Sequence, residues 1–336
     1  MDTARGAAIL LVVLHHAVDH TVDLHLGRGL GAEVWTVVNE SLRLVRLPLF
    51  FFLSGMLAER AVRRPWRELL PGRIGTNLWL YLLWSTIAFV VLALVPLPMI
   101  GFGEDVQAWA RTTLWLPVTS IWYLLALAVF VALGRALRPV PTVWLLIVSG
   151  ALSSAMASGP LVPWSFVWND MIMLFVFFAA GLRLADLPRR FLDPRPRGAT
   201  TALWVMAGAA AAVVTTLTGA AALPVVRLVV GAVTVVGGLV LAARIAESAV
   251  GRALAAAGRD TLGVYVTHQM VLAGLLTGLA WALGSPGQAL DDAPEVWSWI
   301  GPAVLFVGAV AVSTPLGRAL RGVPGALGAP WPTARR

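Results

Sequence analysis

The sequence predicts an all-α, polytopic integral membrane protein of about ten transmembrane helices, with both termini in the cytosol. Three observations predict it. Of 336 residues, 59% are hydrophobic and 12% charged, with a mean hydropathy of +0.82, against roughly 45–50% apolar and roughly 25% charged in a soluble domain. The apolar residues fall in runs of about twenty, the length that crosses a ~30 Å hydrocarbon layer. The arginines cluster in every second gap between those runs.

In order, the expected spans are Gly6–Val22, Trp35–Leu57, Thr76–Val95, Ser120–Leu137, Val140–Ala157, Trp164–Leu184, Thr201–Ala221, Val225–Ile245, Thr261–Leu283 and Trp297–Leu316. One set of gaps carries Arg60, Arg63, Arg64, Arg67 and Arg73, then Arg135 and Arg138, then Arg189, Arg190, Arg195 and Arg197, then Arg252 and Arg259. The other set holds Asp23, Glu33, Glu104, Asp105, the Ser158–Pro163 and Gly219–Pro224 turns, Asp291, Asp292 and Glu295, with Arg28 and Arg111 its only cations. By the positive-inside rule the first set is cytosolic, and Arg318, Arg321, Arg335 and Arg336 place the C-terminus there too.

Arg5 before an apolar stretch resembles a secretory signal, but no small-x-small cleavage site follows, so the first span is expected to be a permanent helix. The longest gap, about Pro98–Thr119, is too short for a separate domain, and one membrane domain is expected to fill the chain. No fixed-period repeat is evident, which weighs against common secondary-transporter architectures. All 25 basic residues are Arg, and the net charge of +8 lies mostly in the short gaps. That is a topology signal and gives no reason to expect nucleic acid. With no Cys there is no disulfide framework, thiolate nucleophile or Cys-based metal site.

Ionisable side chains inside a bilayer cost at least ~2.5–3.5 kcal/mol each on insertion scales, so a cluster of them marks a candidate site. Arg5 and His16 are eleven positions apart, which on a helix returns to within ~20° of the same face, roughly 16 Å deeper. A cytosolic cofactor could be anchored by a phosphate at Arg5 and present its reactive end at His16. Asp19 follows His16 by three positions and His15 by four and could orient an imidazole as a general base; alternatively these groups lie at a wet helix end. His16 and His20, at i and i+4, match metal-ligand spacing, but no His-Glu-x-x-His or Cys partner accompanies them, and no metal is expected.

On the second span, Glu40, Arg43 and Arg46 precede Leu49–Leu53 and Ser54-Gly55. Two cations at that depth need partners or a water-filled pocket, unless they snorkel outward. Ser54 and Gly55 read first as helix-packing residues. Asn169, Asp170, Arg227, His268 and Gln269 are further polar groups within spans, His268 reading either as a packing residue or as part of the chemistry. Trp79, Trp84, Trp115, Trp122, Trp164 and Trp168 fit interfacial belts.

Taken together, these residues resemble the membrane-bound acyltransferase-3 family, and within it the branch of fucose 4-O-acetylases. The resemblance rests on Asp2-Thr3-Ala4-Arg5-Gly6 with an apolar run to His16, and on Leu47-Pro48-Leu49-Phe50-Phe51-Phe52-Leu53-Ser54-Gly55. Weaker echoes follow in order at Ile121-Trp122-Tyr123-Leu124, at Phe177-Phe178-Ala179-Ala180-Gly181, and at Gly258 to Gln269. It departs from the family in keeping only Arg73 of a paired basic motif in Arg73-Ile74-Gly75-Thr76, and in placing Arg46 where the sugar-acetylase branch often has His.

The resemblance implies a single acyltransferase-3-like domain over residues 1–336, in the cell membrane. It would take an acyl group, usually acetyl, from cytosolic acyl-CoA to a hydroxyl of a sugar or other acceptor. In this reading Arg5 and Arg73 bind the CoA phosphates, and His16, oriented by Asp19, is the general base. Arg43, Arg46, Trp122 and His268 serve the acceptor or the oxyanion, with Ser54 the weakest candidate for an acyl-enzyme nucleophile. The expected partners are acyl-CoA as co-substrate, a sugar, glycolipid or other hydroxyl acceptor, and the bilayer. No cofactor is expected to be permanently bound, and with no soluble module after the last span the membrane domain is expected to act alone or with a partner. Two rivals remain at this point: a transporter or flippase using a His/Asp/Arg path, and a non-catalytic scaffold or sensor.

Overall fold

The computed structural model describes residues 1–23, 29–93, 106–115, 120–156, 159, 161, 165–192, 196–282 and 295–332. Among the groups singled out above, Arg28, Glu104, Asp105, Trp164, Arg195, Asp291, Asp292, Arg335 and Arg336 lie outside the described residues, as do most of the Ser158–Pro163 turn and the expected span ends Val95, Ala157 and Leu283. The side chains of Asp23, Trp115, Arg189 and Arg190 also lie outside them.

Every regular element among the described residues is helical. The helices are α1 (Asp2–Asp23), α2 (Leu30–Ala58), α3 (Trp66–Leu69), α4 (Gly75–Ala93), α5 (Val106–Ala110), α6 (Trp122–Ala136), α7 (Thr142–Ala155), α8 (Phe166–Arg183), α9 (Asp186–Phe191), α10 (Gly198–Thr218), α11 (Val226–Ile245), α12 (Ala249–Arg259), α13 (Thr261–Ala282) and α14 (Val296–Ala319).

All ten expected spans coincide with helices, but seven of them are long and apolar enough to cross a membrane: 30–58, 66–92, 166–183, 198–218, 226–245, 261–279 and 296–322. The other three differ from expectation for two reasons. α1 has the length, 22 residues, but His15, His16, Asp19 and His20 dilute its apolar character. α6 and α7 run for only 15 and 14 residues, which at about 1.5 Å per residue falls short of a ~30 Å hydrocarbon layer. Several gaps are themselves helical. A π-helical turn at Leu70–Ile74 continues α3 into α4, α12 fills the gap before α13, and Val106–Trp115 within the longest gap is also helical.

Local chemistry sets several boundaries. Ser165 caps α8 by accepting from the Trp168 N–H, and Ser248 caps α12 by accepting from the Gly251 N–H. α10 ends at Gly219 with φ +67°, a left-handed conformation that glycine adopts without a Cβ penalty. Pro48 sits inside α2 and has no N–H for the carbonyl of Leu44. That carbonyl instead accepts from Thr234 Oγ1 of α11 at 2.9 Å, which ties the two helices together where the ladder is broken.

Two apolar cores flank the polar centre. One joins α2, α6 and α8 through Phe51, Phe52, Leu53, Phe130, Leu174 and Phe178; the other joins α1, α4, α13 and α14 through residues such as Ile9, Leu80, Trp84, Leu272 and Leu305. α2 and α8 approach closely because a Cβ on Gly55 would overlap the carbonyl of Phe178, and one on Gly181 would overlap that of Phe52. The same device brings α12 onto α1, with Gly6 facing Leu254 and Gly258 facing Asp2.

These contacts fix the two ends of the bundle. One end gathers the start of α1 and the end of α14: Arg5 donates to Thr261 Oγ1 at 3.1 Å, Arg318 to Asp260 at 3.0 Å, and Trp331 to the Pro71 carbonyl at 2.9 Å. Arg321 also pairs with Asp260. At the other end Trp35 donates to the Trp299 carbonyl at 2.9 Å, and Thr21 lies against Gly301. The arginine-bearing gaps lie at the first end, where Arg73 reaches the Leu57 carbonyl at 3.2 Å and Arg183 reaches the Leu137 carbonyl at 2.7 Å.

Candidate active site

Polar side chains from α1, α2, α6 and α13 line up from the arginine-bearing end into the bundle. The line starts at Arg5, held by Thr261 Oγ1 at 3.1 Å and by Asp2 at 3.5 Å, with 29% of its side chain exposed. One turn into α13, Tyr265 donates to the Ser120 carbonyl at 2.5 Å and accepts from the Tyr123 N–H at 3.3 Å. The Ser54 hydroxyl donates to the Phe50 carbonyl at 2.7 Å, so the short contact between Ser54 and Tyr123 has the tyrosine as donor. With its proton on a carbonyl and no base beside it among the described residues, Ser54 lacks what an activated nucleophile requires.

Deeper in, four histidines converge. The His16 ring centroid lies 4.6 Å from that of His15, 5.2 Å from that of His268 and 6.4 Å from that of His20. The neighbours differ in what their nitrogens do. His15 is engaged on both sides, Nδ1 at 3.1 Å from Asn39 Oδ1 and Nε2 at 3.2 Å from Asp19 Oδ2. His268 is fully buried, and its Nδ1 faces the carbonyls of Tyr265 at 2.7 Å and Val264 at 3.2 Å. Facing a carbonyl, that nitrogen carries the proton, which leaves Nε2 an acceptor with no partner among the described residues. His16 makes no hydrogen bond among the described residues and keeps accessible surface.

Beyond the histidines, Asn39 is the hub. Its Nδ2 donates to Asp19 Oδ1 at 2.7 Å, and its Oδ1 accepts from Arg46 at 3.1 Å. Arg46 is 1% exposed and also donates to the Asn39 carbonyl at 2.9 Å. Arg43 reaches across to α8 and pairs with both oxygens of Asp170, at 3.1 and 3.3 Å, with Glu40 at 3.9 Å. Arg227 lines the same cleft as Arg43 and donates to Met173 Sδ at 3.1 Å.

The structure thus gathers Arg5, His16, Asp19, Arg46 and His268 along one line, and separates others from it. Of the two α1 histidines that spacing puts within reach of Asp19, its carboxylate pairs with His15, one turn back, where His16 was expected to be the base it orients. Trp122 packs on Phe51 in the aromatic core, with ring centroids 5.9 Å apart, while its neighbour Tyr123 faces the polar line. Arg73 is exposed at the arginine-bearing end. Asn39, Tyr123 and Tyr265 were not singled out as site residues by sequence. For Asn39 a signal existed, since seven residues separate it from Arg46 and two helical turns put both on one face. Ligand atoms of His15, His16 and Asp19 lie within 4.8 Å of one another, the one group among the described residues close enough to hold a metal ion; two of these residues already bond each other.

Fold and site define a multi-pass helical membrane protein with a histidine-centred polar line through its bundle. The model of the acyltransferase-3 family, described as an acyltransferase domain, matches residues 1–318. The chain belongs to that family and is a membrane acyltransferase. No curated protein and no solved structure matches it.

Proposed function

We propose that this acyltransferase moves an acetyl group from cytosolic acetyl-CoA to a hydroxyl of a sugar or glycoconjugate. The arginine-bearing end faces the cytosol, so that the protein sits in the cell membrane with both chain ends inside. The observation that carries this reading is His16, the one histidine of the cluster with accessible surface and no hydrogen bond among the described residues, three helical turns in from Arg5. Arg5, with Arg73 at the rim, binds the phosphates of the donor by charge-assisted hydrogen bonds. The pantetheine arm then follows the Tyr265, Tyr123 and Ser54 wall inward. His16 takes the proton of the acceptor hydroxyl as its oxygen attacks the thioester carbonyl, and returns it to the departing CoA thiolate. The buried guanidinium of Arg46 is placed to stabilise the oxyanion, because a fixed charge in a low-dielectric site acts with little screening. Asp19 serves this arrangement through Asn39, which it holds against Arg46. The likeness of the first two helices to fucose 4-O-acetylases supports a sugar acceptor, with Arg46 in place of a common His as the departure.

The test is release of free CoA thiol by purified protein in nanodiscs, with acetyl-CoA and a panel of sugar and glycolipid acceptors. Wild type is expected to release thiol in an acceptor-dependent manner, and His16→Ala to lose at least 10²-fold of that rate, about what general-base catalysis contributes. Wild-type turnover in the His16→Ala protein would overturn the role of His16. Solute movement across the bilayer without thioester cleavage would overturn the reaction itself.

A further inference from the structure

We propose that His268 is the positioning residue for His16: its bare Nε2 accepts a hydrogen bond from the His16 ring N–H, fixing which His16 nitrogen faces the acceptor hydroxyl. The proposal deepens the reading of His16 as the base and rests on it. It starts from an atom in the wrong place for a packing residue. A neutral imidazole has one donor and one acceptor nitrogen. In His268 the donor is committed to the carbonyls of Tyr265 and Val264 on its own helix, at 2.7 and 3.2 Å. The acceptor, on the far side of the ring from those carbonyls, is buried without a partner among the described residues. A buried acceptor left unpaired is costly. A histidine present only to fill space is readily replaced by an apolar side chain that carries no such cost.

Of the rings packed against His268, that of His16 on α1 lies nearer than that of Tyr265, with centroids 5.2 Å apart and planes tilted by 37°. At that separation a small ring rotation, or one bridging water, joins the two nitrogens. Around the pair stand His15, with its ring 4.6 Å from that of His16, Tyr265, with its ring 6.0 Å from that of His268, and His20, with its ring 6.4 Å from that of His16 and its own Nε2 also buried without a partner among the described residues. His15 has both nitrogens occupied by Asn39 and Asp19, and Tyr265 donates to the Ser120 carbonyl. The role that a carboxylate fills beside many catalytic histidines falls here to a second imidazole, since Asp19 is taken up by His15 and Asn39.

The proton balance is simple. The acceptor hydroxyl gives its proton to the free nitrogen of His16 as the new C–O bond forms and the C–S bond breaks. The other His16 nitrogen keeps its own proton throughout, hydrogen-bonded to His268 Nε2. The proton gained by His16 leaves with the CoA thiolate as thiol, and His268 is unchanged at the end of the cycle.

The experiment compares wild type, His268→Ala and His268→Gln in nanodiscs, with acetyl-CoA binding, kcat, KM and the nitrogen NMR of histidine-labelled protein. His268→Ala is expected to lower kcat about 10²-fold, within the range of general-base contributions, with KM for acetyl-CoA and its binding unchanged. His268→Gln, whose amide oxygen can sit near the Nε2 position, is expected to recover at least a tenth of the wild-type kcat. In the spectra His16 is expected to hold one tautomer in wild type and a mixture in His268→Ala, a readout that needs no turnover and survives if the acceptor is still unknown. A kcat within threefold of wild type in His268→Ala, or a His16 tautomer that does not respond, would sink the proposal. So would parallel loss of thermal stability and donor binding with no recovery in His268→Gln, which would make His268 structural. Failure of the base reading is separate: it shows as activity retained in His16→Ala, whatever His268 does.

Discussion

Arg46 bends back along its own helix to donate to both the carbonyl and the side-chain oxygen of Asn39, seven residues earlier, at 2.9 and 3.1 Å. This single relationship keeps a 1% exposed guanidinium solvated by protein in the middle of an apolar helix. Asn39→Leu removes the side-chain acceptor and also releases His15 and Asp19. It is expected to cost at least ~1–3 kcal/mol, the penalty for a buried polar group left unpaired, and more because the donor is charged. Thermal unfolding in detergent, with Asn39→Asp as the variant that keeps the acceptor, measures it.

Arg43 and Asp170 join α2 to α8 by a two-point ion pair, with Asp170 nearly covered and Arg43 about one-third exposed. Removing one partner of a fully buried pair costs ~3–5 kcal/mol. Because Arg43 keeps contact with solvent and with Glu40, Asp170→Asn is expected to cost less, about 1–3 kcal/mol. Arg43→Gln in the same background is expected to add little, because the two residues share one interaction. A double-mutant cycle on unfolding midpoints checks this.

Gly55 and Gly181 are expected to be intolerant of alanine, since each Cβ would collide with a carbonyl of the opposite helix. Backbone cannot swing aside as a side chain can, so either substitution is expected to cost ~1–3 kcal/mol or more and to lower the yield of monodisperse protein. Gly72→Ala, where nothing lies within 4 Å of the new Cβ, is the matched control.

Thr234→Val is expected to cost about 1 kcal/mol by leaving the Leu44 carbonyl unpaired. In a Pro48→Ala background the restored N–H can satisfy that carbonyl from within α2, and the cost of Thr234→Val is expected to fall by at least half. Equal costs in both backgrounds would show that the hydroxyl does not stand in for the missing ladder bond.

Arg5→Gln and Arg73→Gln are expected to raise KM for acetyl-CoA about tenfold each, roughly the worth of one charge-assisted hydrogen bond. KM for S-acetylpantetheine, which lacks the nucleotide phosphates, is expected to stay within twofold. Steady-state thiol release with both donors decides between a donor contact and a general loss of fold.

Much of the helical layout was legible because bilayer burial imposes a length and an apolarity on each span, and both can be counted along a chain. The ends were less so. α12 was read as a gap, although Ser248 begins it with a helix cap, because its arginines suggested a loop. α6 starts two residues later than its apolar run, at Trp122, next to the Ser120 carbonyl and Tyr123 N–H that bond Tyr265 of α13, contacts that no local pattern announces. Arg5 and His16 were legible as a pair from helical spacing alone. Spacing left Asp19 within reach of both His16 and His15, and the structure pairs it with His15, which Asn39 on α2 also holds from outside the helix that carries them.

The sequence by itself determined that this is a helical membrane protein, and which side chains are too polar to lie idle in a bilayer. Periodicity and hydropathy suffice for that, since they are properties of one helix and its solvent. Which histidine is free, which carboxylate is spoken for and which arginine is buried were decided by tertiary structure alone. Hydrogen-bond partners come from other helices, and a side chain's chemistry is set by what is left unbonded once the bundle has closed around it.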